Sequence, residues 1–205
     1  DHDSTPEQPS EQPSVQSVVT LQDGSEVTPN SDDLIEIPQS STFVVTMTSD
    51  KPLDSFNLTT GNGKAIATGT IKAWDPATKT GTYTLYGLGA PDGPDNTAGV
   101  YVNGQKLFAM KTVRRPLVSD TTVSFSMKEG KEYVFWVKPD DPNASFTFNT
   151  ANGSMLQTSI VKGAYPDKEG RYYCRIKVTK AGGDVGVYCR LNNNTYKLFS
   201  VKCEK

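Results

Sequence analysis

The sequence is short of the side chains on which most enzymes and metal sites depend. Its 205 residues include one histidine, His2, in a polar stretch at the start of the chain. A single imidazole there leaves Ser and Cys nucleophiles without a base and excludes a histidine-ligated metal. The acid pairs Asp92 with Asp95 and Asp140 with Asp141 lie among Pro and Gly, where Asp commonly stabilises turns. We therefore expect that the protein is not an enzyme and has no metal site and no cofactor.

Long apolar runs are lacking as well. No stretch approaches the roughly 18 consecutive apolar residues that a membrane-spanning helix requires. No segment keeps a helical period over several turns. We expect contact with a membrane only through a lipid anchor outside this chain.

Basic residues are missing from residues 1–50, which hold ten acids and neither Lys nor Arg. The other 155 residues hold 13 acids and 21 bases, so they carry +8 while the whole chain carries −2. Residues 1–16 form a Pro-, Ser- and Gln-rich acidic stretch that cannot bury enough apolar area to offset its ordering entropy. We expect a disordered tether there. The pI of about 5.5 and this acidic segment argue against a nucleic-acid partner.

Three cysteines, Cys174, Cys189 and Cys203, occur in the last 32 residues, without a CxxC pair. A zinc or redox motif therefore has no support. By strand alternation, all three side chains point to the same side as the apolar residues, as buried cysteines do. Two alternatives stay open, a bridge between Cys174 and Cys189 or no bridge.

An internal repeat organises the rest of the chain. The segment Asp54–Gly63 matches Ala144–Gly153, with an offset of 90 residues between Phe56 and Phe146. Further matches follow in the same order: Ile35 and Ile37 with Phe125 and Met127, Trp74 with Tyr165, Gly99-Val100-Tyr101 with Gly186-Val187-Tyr188, and Lys106-Leu107-Phe108 with Lys197-Leu198-Phe199. Trp74 and Tyr165 each precede a turn, and we expect them to close the end of a sandwich. Such an ordered series indicates two copies of one fold.

Each copy has the pattern of short β-strands. Apolar and polar residues alternate in the runs 43–47, 171–178 and 185–191, which are rich in Thr, Val and Tyr. Asn103-Gly104 lies between two such runs and predicts a two-residue hairpin. Roughly seven strands per 90 residues predict an all-β fold of two tandem β-sandwiches. The expected boundaries are 1–16 for the tether, 17–114 for the first sandwich and 115–205 for the second.

The strand motifs resemble those of immunoglobulin-like domains. Gly170-Arg171-Tyr172-Tyr173-Cys174 is similar to the G-x-Y-x-C strand of that family, and Asp184-Val185-Gly186-Val187-Tyr188 is similar to its D-x-G-x-Y corner. The second motif suits the penultimate strand, because one strand follows it. The early core strands contain no Cys, so the inter-sheet disulfide of the family is absent.

The overall layout resembles surface lipoproteins of Bacteroidetes-type bacteria, in which an acidic tether precedes immunoglobulin-like sandwiches. The resemblance implies an exported protein that is secreted or anchored by lipid at the outer-membrane surface.

Seven residues are candidates for ligand binding. Strand alternation places six of them outward in the second copy as a basic face with interleaved Tyr, for which a solvated strand face with Lys and Arg as edge protection is the alternative. A seventh, an outward Trp, is a candidate stacking platform or interface anchor, or else packs under a loop or against the other copy. The six are Arg171, Tyr173, Arg175, Lys177, Tyr188 and Arg190, and the seventh is Trp136. The matching places in the first copy hold Thr82, Thr84, Tyr86 and Leu88, and Trp136 is matched by Thr46.

These features favour a non-catalytic extracellular binding or adhesion module at the bacterial cell surface. The expected partner is a cell-surface glycan or protein, an acidic one included. Two alternatives stay open: a carbohydrate-capture protein that uses Trp136 and the basic face, and a subunit of a fimbria-like polymer.

Overall fold

A computed structural model describes residues 14–205, and within that range every regular element is a β-strand. The sixteen strands form four sheets of four strands each. The sheets pair into two β-sandwiches, so the predicted all-β fold with two tandem sandwiches is confirmed. Most of the expected tether, including His2, lies outside the described residues, while Val15 and Gln16 of that segment belong to the first strand. No helix in residues 14–205 is long and apolar enough to cross a membrane.

The first sandwich contains eight strands. They are β1 (Val15–Thr20), β2 (Leu34–Pro38), β3 (Thr42–Ser49), β4 (Leu58–Thr60), β5 (Ile66–Asp75), β6 (Thr80–Gly87), β7 (Thr97–Val102) and β8 (Gln105–Val113). One sheet has the order β1-β3-β6-β5 and the other the order β2-β8-β7-β4. All neighbours are antiparallel except β2 and β8, which run parallel.

The second sandwich repeats this arrangement. Its strands are β9 (Leu117–Ser119), β10 (Phe125–Lys128), β11 (Glu132–Pro139), β12 (Phe146–Thr150), β13 (Leu156–Ile160), β14 (Tyr172–Val178), β15 (Gly183–Leu191) and β16 (Asn194–Glu204). The sheets have the orders β9-β11-β14-β13 and β10-β16-β15-β12, again with one parallel pair, β10 with β16.

Both topologies are those of the constant-type immunoglobulin fold. In its strand letters, the sheets β1-β3-β6-β5 and β9-β11-β14-β13 are both A-B-E-D. The sheets β4-β7-β8-β2 and β12-β15-β16-β10 are both C-F-G with a short A′ strand beside G. The resemblance to immunoglobulin-like domains therefore holds at the level of fold. As expected, Asp184–Tyr188 lies on the penultimate strand, β15. The Tyr188 side chain does not point to the core, however. It lies on the outer face of β15, with its ring over Gly186.

Each sandwich has its own hydrophobic core, built from the alternate residues that face inward. In the second, the ring of Phe135 is fully buried and meets Phe199 and Phe148 edge-on at 5.0 and 5.9 Å. At the sandwich ends, Trp74 stacks on Phe56 at 4.4 Å, and Tyr165 packs against Phe146 at 5.9 Å. The repeat positions 74 and 165 thus close the two cores in the same way, as expected.

The hairpins between the last two strands of each sandwich are fixed by asparagine. Asn103 and Gly104 have φ of 50° and 82°, which confirms the predicted two-residue turn. The Asn103 carboxamide oxygen accepts a hydrogen bond from the backbone N–H of Asn57 at 2.8 Å. Asn192 has φ of 52° and accepts from the N–H of Ser145 at 3.1 Å. Each turn is therefore bonded to the beginning of the neighbouring C strand.

All three cysteines are buried in the second core and are free thiols. The open alternative of a Cys174–Cys189 bridge is thereby decided in favour of no bridge. Burial raises the pKa of the Cys189 thiol to about 12 and also raises that of Cys174.

A short linker joins the sandwiches through direct hydrogen bonds. Arg115, between β8 and β9, donates from Nη1 to the carbonyl of Lys197 at 2.9 Å. The N–H of Lys197 donates to the carbonyl of Ser40 at 3.1 Å, and Ser41 forms an isolated antiparallel bridge with Tyr196. Burial of the Arg115 side chain lowers its pKa, although a guanidinium stays charged. The A′–B turn of the first sandwich is therefore bonded to strand β16 of the second.

We predict that the native thiols resist modification at pH 8. Because burial excludes the reagent and raises the pKa of Cys174 and Cys189, almost no accessible thiolate is present. Titration with a chromogenic disulfide reagent should detect no rapid reaction in buffer and three thiols in concentrated guanidinium chloride. Fast labelling of any cysteine in the native protein would contradict this burial.

We also predict that Arg115→Met loosens the junction. The substitution keeps most of the side-chain volume but removes the bond to Lys197, so the sandwiches should reorient more freely. Residual dipolar couplings of the two sandwiches, fitted separately, should then give different alignment tensors, whereas the wild type should fit one. Arg190→Met is the matched control, since Arg190 donates to the carbonyl of Asn192 at its own hairpin and takes no part in the junction. A single shared tensor in Arg115→Met would contradict the prediction.

Candidate binding face

The structure divides the seven predicted residues between two sheets. Five belong to the outer face of the β9-β11-β14-β13 sheet or to the residue directly before β14: Trp136, Arg171, Tyr173, Arg175 and Lys177. Tyr188 and Arg190 lie on β15, in the opposite sheet. The prediction of one contiguous basic face is therefore wrong. Strands β14 and β15 are consecutive in sequence but face each other across the core, so their outward residues point in opposite directions.

An aromatic pair forms the centre of the larger group. Trp136 on β11 lies directly opposite Tyr173 on β14. The guanidinium carbon of Arg171 lies 5.6 Å from the Trp136 ring centroid and 5.7 Å from that of Tyr173. Both distances fall within the range of cation–π attraction. We name Trp136, Arg171, Tyr173 and Arg175, with the flanking Val134, the aromatic–arginine face.

Two carboxylates hold Arg171 in place. Its Nε donates to Oδ2 of Asp167 at 2.9 Å, and its Nη2 donates to Oε2 of Glu169 at 3.1 Å. The backbone N–H of Arg171 also donates to Oδ1 of Asp167 at 2.9 Å. Desolvation raises the pKa of Asp167, but the hydrogen bonds from Arg171 outweigh it, and the net pKa is below the usual value. The hydrogen bond to Asp167 in turn raises the pKa of Arg171.

The backbone of Trp136 is held by residues that sequence patterns did not indicate. Ser119 Oγ donates to the Trp136 carbonyl at 2.8 Å, and the Trp136 N–H donates to Oδ1 of Asp120 at 3.0 Å. Strand β9 ends at Ser119, so these two side chains continue its pairing with β11. A local sequence pattern does not predict such a contact, because the contact joins the end of one strand to the middle of another.

The charge of this face is balanced rather than basic. Arg171 is paired with two carboxylates, and Arg175 Nε lies 3.8 Å from Oε2 of Glu132. Lys177 is exposed at the far end of β14, opposite Glu132 in the strand register. Apolar side chains lie between these charges, with Val134 43% and Val118 42% exposed.

The first sandwich shows that the fold does not require this face. Thr46 and Thr82 occupy the register of Trp136 and Tyr173, directly opposite each other on β3 and β6. The strand register thus makes Thr82 the equivalent of Tyr173 in the other copy. Matching the two copies by sequence had made it the equivalent of Arg171. Since a threonine pair serves the same sheet position, packing alone does not explain the aromatic pair.

Tyr188 and Arg190 have local structural partners. A Cβ added to Gly186 would lie 2.6 Å from the Tyr188 ring, so the ring covers the bare backbone of that glycine. Arg190 Nε donates to the carbonyl of Asn192 at 3.1 Å, beside the hairpin turn. Neither residue reaches the aromatic–arginine face.

The acid pair Asp140 and Asp141 is occupied with surface and turn contacts. Asp140 pairs with Arg114, and Oδ1 of Asp141 accepts from the N–H of Asn143 at 2.9 Å. Within residues 14–205 no group of three or more His, Cys, Asp or Glu side chains is placed to hold a metal ion.

Comparisons with known proteins find similarity only among solved structures. No protein-family model matches the chain, and no curated protein does. The structure of the Escherichia coli adhesin FdeC matches 92% of this chain and 64% of its own length, with 15% identity and a TM-score of 0.31. The structure of the Yersinia pseudotuberculosis adhesin InvE matches 91% of this chain and 58% of its own length, with 17% identity and a TM-score of 0.29. The I9–I11 tandem of titin matches 83% of this chain and 63% of its own length, with 10% identity and a TM-score of 0.30.

The chain thus spans 58–64% of the length of these solved structures. At such identities, a likeness concerns fold and does not identify a ligand.

We predict that Asp167→Asn frees the Arg171 guanidinium. In the wild type, the bond to Asp167 should protect the Arg171 Nε–H from exchange and keep its proton resonance visible at neutral pH. Because the pKa of Asp167 is lowered, the resonance should persist on acidification until that depressed pKa is reached. In Asp167→Asn the resonance should broaden at neutral pH. Glu169→Gln, which affects only Nη2, is the control and should leave the Nε–H protected. A protected signal in Asp167→Asn would show that Asp167 does not hold Arg171.

Proposed function

We propose that the protein is a non-catalytic extracellular module of adhesion type, and that the aromatic–arginine face of its second sandwich binds a protein on another cell or molecule. The observation that carries the proposal is the Trp136–Tyr173 pair, placed outward where the first sandwich has Thr46 and Thr82. The two rings are half-buried on the outer sheet face and do not belong to the core. The presence of this pair in one copy only is explained by a partner.

The composition of the face supports a protein partner. Trp, Tyr and Arg are the residues most enriched among those that dominate binding energy at protein interfaces. Arg171 is already held over both rings by Asp167 and Glu169, so little side-chain freedom is lost on binding. The exposed Val134 and Val118 extend the apolar area around the rings.

Charge balance bears on the kind of partner. The guanidinium groups of Arg171 and Arg175 already have carboxylate neighbours. An acidic partner would have to displace those carboxylates, so it gains less here than the sequence pattern indicated. Binding should therefore depend chiefly on apolar and aromatic contact and only weakly on salt.

An extracellular location and a lipid anchor outside this chain belong to the same proposal. The acidic, Pro- and Ser-rich residues before β1 have the composition of a spacer. Such a spacer would hold the binding face away from a membrane. The sequence encoded upstream of Asp1 tests the anchor, which requires an export signal and a cysteine for lipid attachment.

The fimbrial alternative gains no support from the fold. Polymerisation by strand donation requires a sandwich that lacks a strand of its own. Here β8 and β16 supply the G strand of each sandwich from within the chain.

We predict that Trp136→Ala combined with Tyr173→Ala abolishes binding to cells. Truncating residues that dominate an interface costs about 2 kcal/mol or more each, which is about 30-fold in affinity per residue. Protein-coated beads should bind intact epithelial or bacterial cells in the wild type, and the double variant should not bind. Thr46→Ala with Thr82→Ala alters the same register in the first sandwich and should bind like the wild type.

Pretreatment of the cells distinguishes the partner classes. Loss of bead binding after mild proteolysis of the cell surface supports a protein partner. Loss only after glycosidase treatment would replace the proposal with carbohydrate capture. Equal binding by the aromatic double variant and the threonine double variant would overturn the role of this face.

A further inference from the structure

A groove lies on the outer face of the β2-β8-β7-β4 sheet of the first sandwich. It has a volume of about 490 Å³ and is lined chiefly by β7, β8 and the residues after β4. The residues that define it are Gly61, Thr97, Gly99, Tyr101, Lys106 and Ala109. This groove belongs to the A′-G-F-C sheet of the first sandwich and does not include any of the seven candidate residues.

Glycine makes room for an aromatic ring on the groove floor. A Cβ added to Gly99 would lie 2.8 Å from the Tyr101 ring, and one added to Gly61 would lie 3.3 Å from it. The ring therefore lies against the bare backbone of Gly99 on β7 and of Gly61, directly after β4. Tyr101 itself is half-buried and still lines the groove. An aromatic ring in a shallow groove offers a stacking surface for the C–H face of a sugar ring.

A single cation accompanies the ring. Lys106 lies opposite Tyr101 in the register of β7 and β8. No carboxylate lines the groove. In the part of the chain that the structure describes, Lys106 also has no acidic partner within ion-pair distance. The ammonium group is thus available to a negatively charged ligand.

Comparison of the two copies shows which groove residues the fold does not require. The second sandwich keeps the Tyr, Gly and Lys as Tyr188, Gly186 and Lys197, in the same register and beside the same bulge. The surrounding small or uncharged residues differ: Leu34, Gly61, Thr97 and Ala109 correspond to Ser124, Ala151, Asp184 and Ser200. A carboxylate therefore stands in the second sandwich where Thr97 lines the groove of the first. The fold tolerates either set, and only the first set leaves an acid-free groove beside the ring.

We propose that this groove binds a carboxylate-bearing pyranose unit of an acidic polysaccharide. The sugar ring stacks on Tyr101, and its carboxylate pairs with Lys106. The contacts are shallow and partly exposed, so the affinity is modest and falls as salt rises. This site lies on a different sheet and a different sandwich from the aromatic–arginine face and is independent of the function proposed for that face.

The test uses a hexasaccharide of galacturonate as probe and a neutral maltohexaose as comparison. Titrated into ¹⁵N-labelled protein, the acidic probe should shift the backbone amide signals of Gly61, Gly99, Tyr101 and Lys106, with maltohexaose at least tenfold weaker. Thr97→Asp introduces the residue that the second sandwich already carries, so folding should be preserved. It should weaken galacturonate binding tenfold or more by placing a carboxylate in the groove. Lys106→Gln should remove the salt dependence and most of the difference between the two probes.

Matched variants keep the result interpretable. Asp184→Thr makes the reciprocal change in the second sandwich and should leave the shifts in the first unchanged. Trp136→Ala with Tyr173→Ala should also retain them, which separates this site from the aromatic–arginine face. The proposal is overturned if galacturonate shifts no groove amide, if maltohexaose binds equally well, or if Thr97→Asp binds like the wild type in a spectrum that is otherwise native.

Discussion

Burial of one alternating set of side chains between two sheets is the constraint from which the rest of this structure follows. Each sandwich satisfies it with the same topology, in which the chain leaves one sheet after the E strand and enters the opposite sheet as the F strand. Inward residues such as Cys174 on β14 and Cys189 on β15 therefore meet in one core. The outward residues of the same two strands are separated by the whole thickness of the sandwich, which is more than the ~10 Å between packed sheets. What the protein can present to a ligand is set by this division.

Much of the fold was predictable because alternation, turn chemistry and the repeat are local or directly comparable signals. Alternation predicted the inward cysteines, and Asn103-Gly104 predicted its hairpin. Alternation assigns a residue to the inside or the outside, but not to a sheet, which is why Tyr188 and Arg190 were wrongly grouped with Arg171. The supports of Trp136 from Ser119 and Asp120 were also missed. They are contacts between a side chain and a distant backbone, which leave no spacing signal in the sequence.

The two copies of the repeat act as an internal comparison. Their strand orders and parallel pairs agree, so differences at equivalent outer positions are free of the demands of the fold. On the A-B-E-D sheets, the pair Thr46 and Thr82 contrasts with Trp136 and Tyr173. On the A′-G-F-C sheets, Thr97 in an open groove contrasts with Asp184. Each sandwich thus presents a distinct surface on a different sheet, while the strand order of both is the same.

The junction decides how these two surfaces can act together. Lys197 accepts a hydrogen bond from Arg115 and donates one to the carbonyl of Ser40, and these bonds tie the first sandwich to β16 of the second. A stiff junction fixes the directions in which the groove and the aromatic–arginine face point, because each is set within its own sheet. For two sites held in fixed directions, the gain from binding both depends on whether one partner can span them. A partner that presents a protein surface and an acidic glycan at the matching separation would gain from both sites, whereas one with another geometry would use only one. If both surfaces bind, the hydrogen bonds among Arg115, Ser40 and Lys197 would therefore bear on selectivity as much as the side chains of either surface.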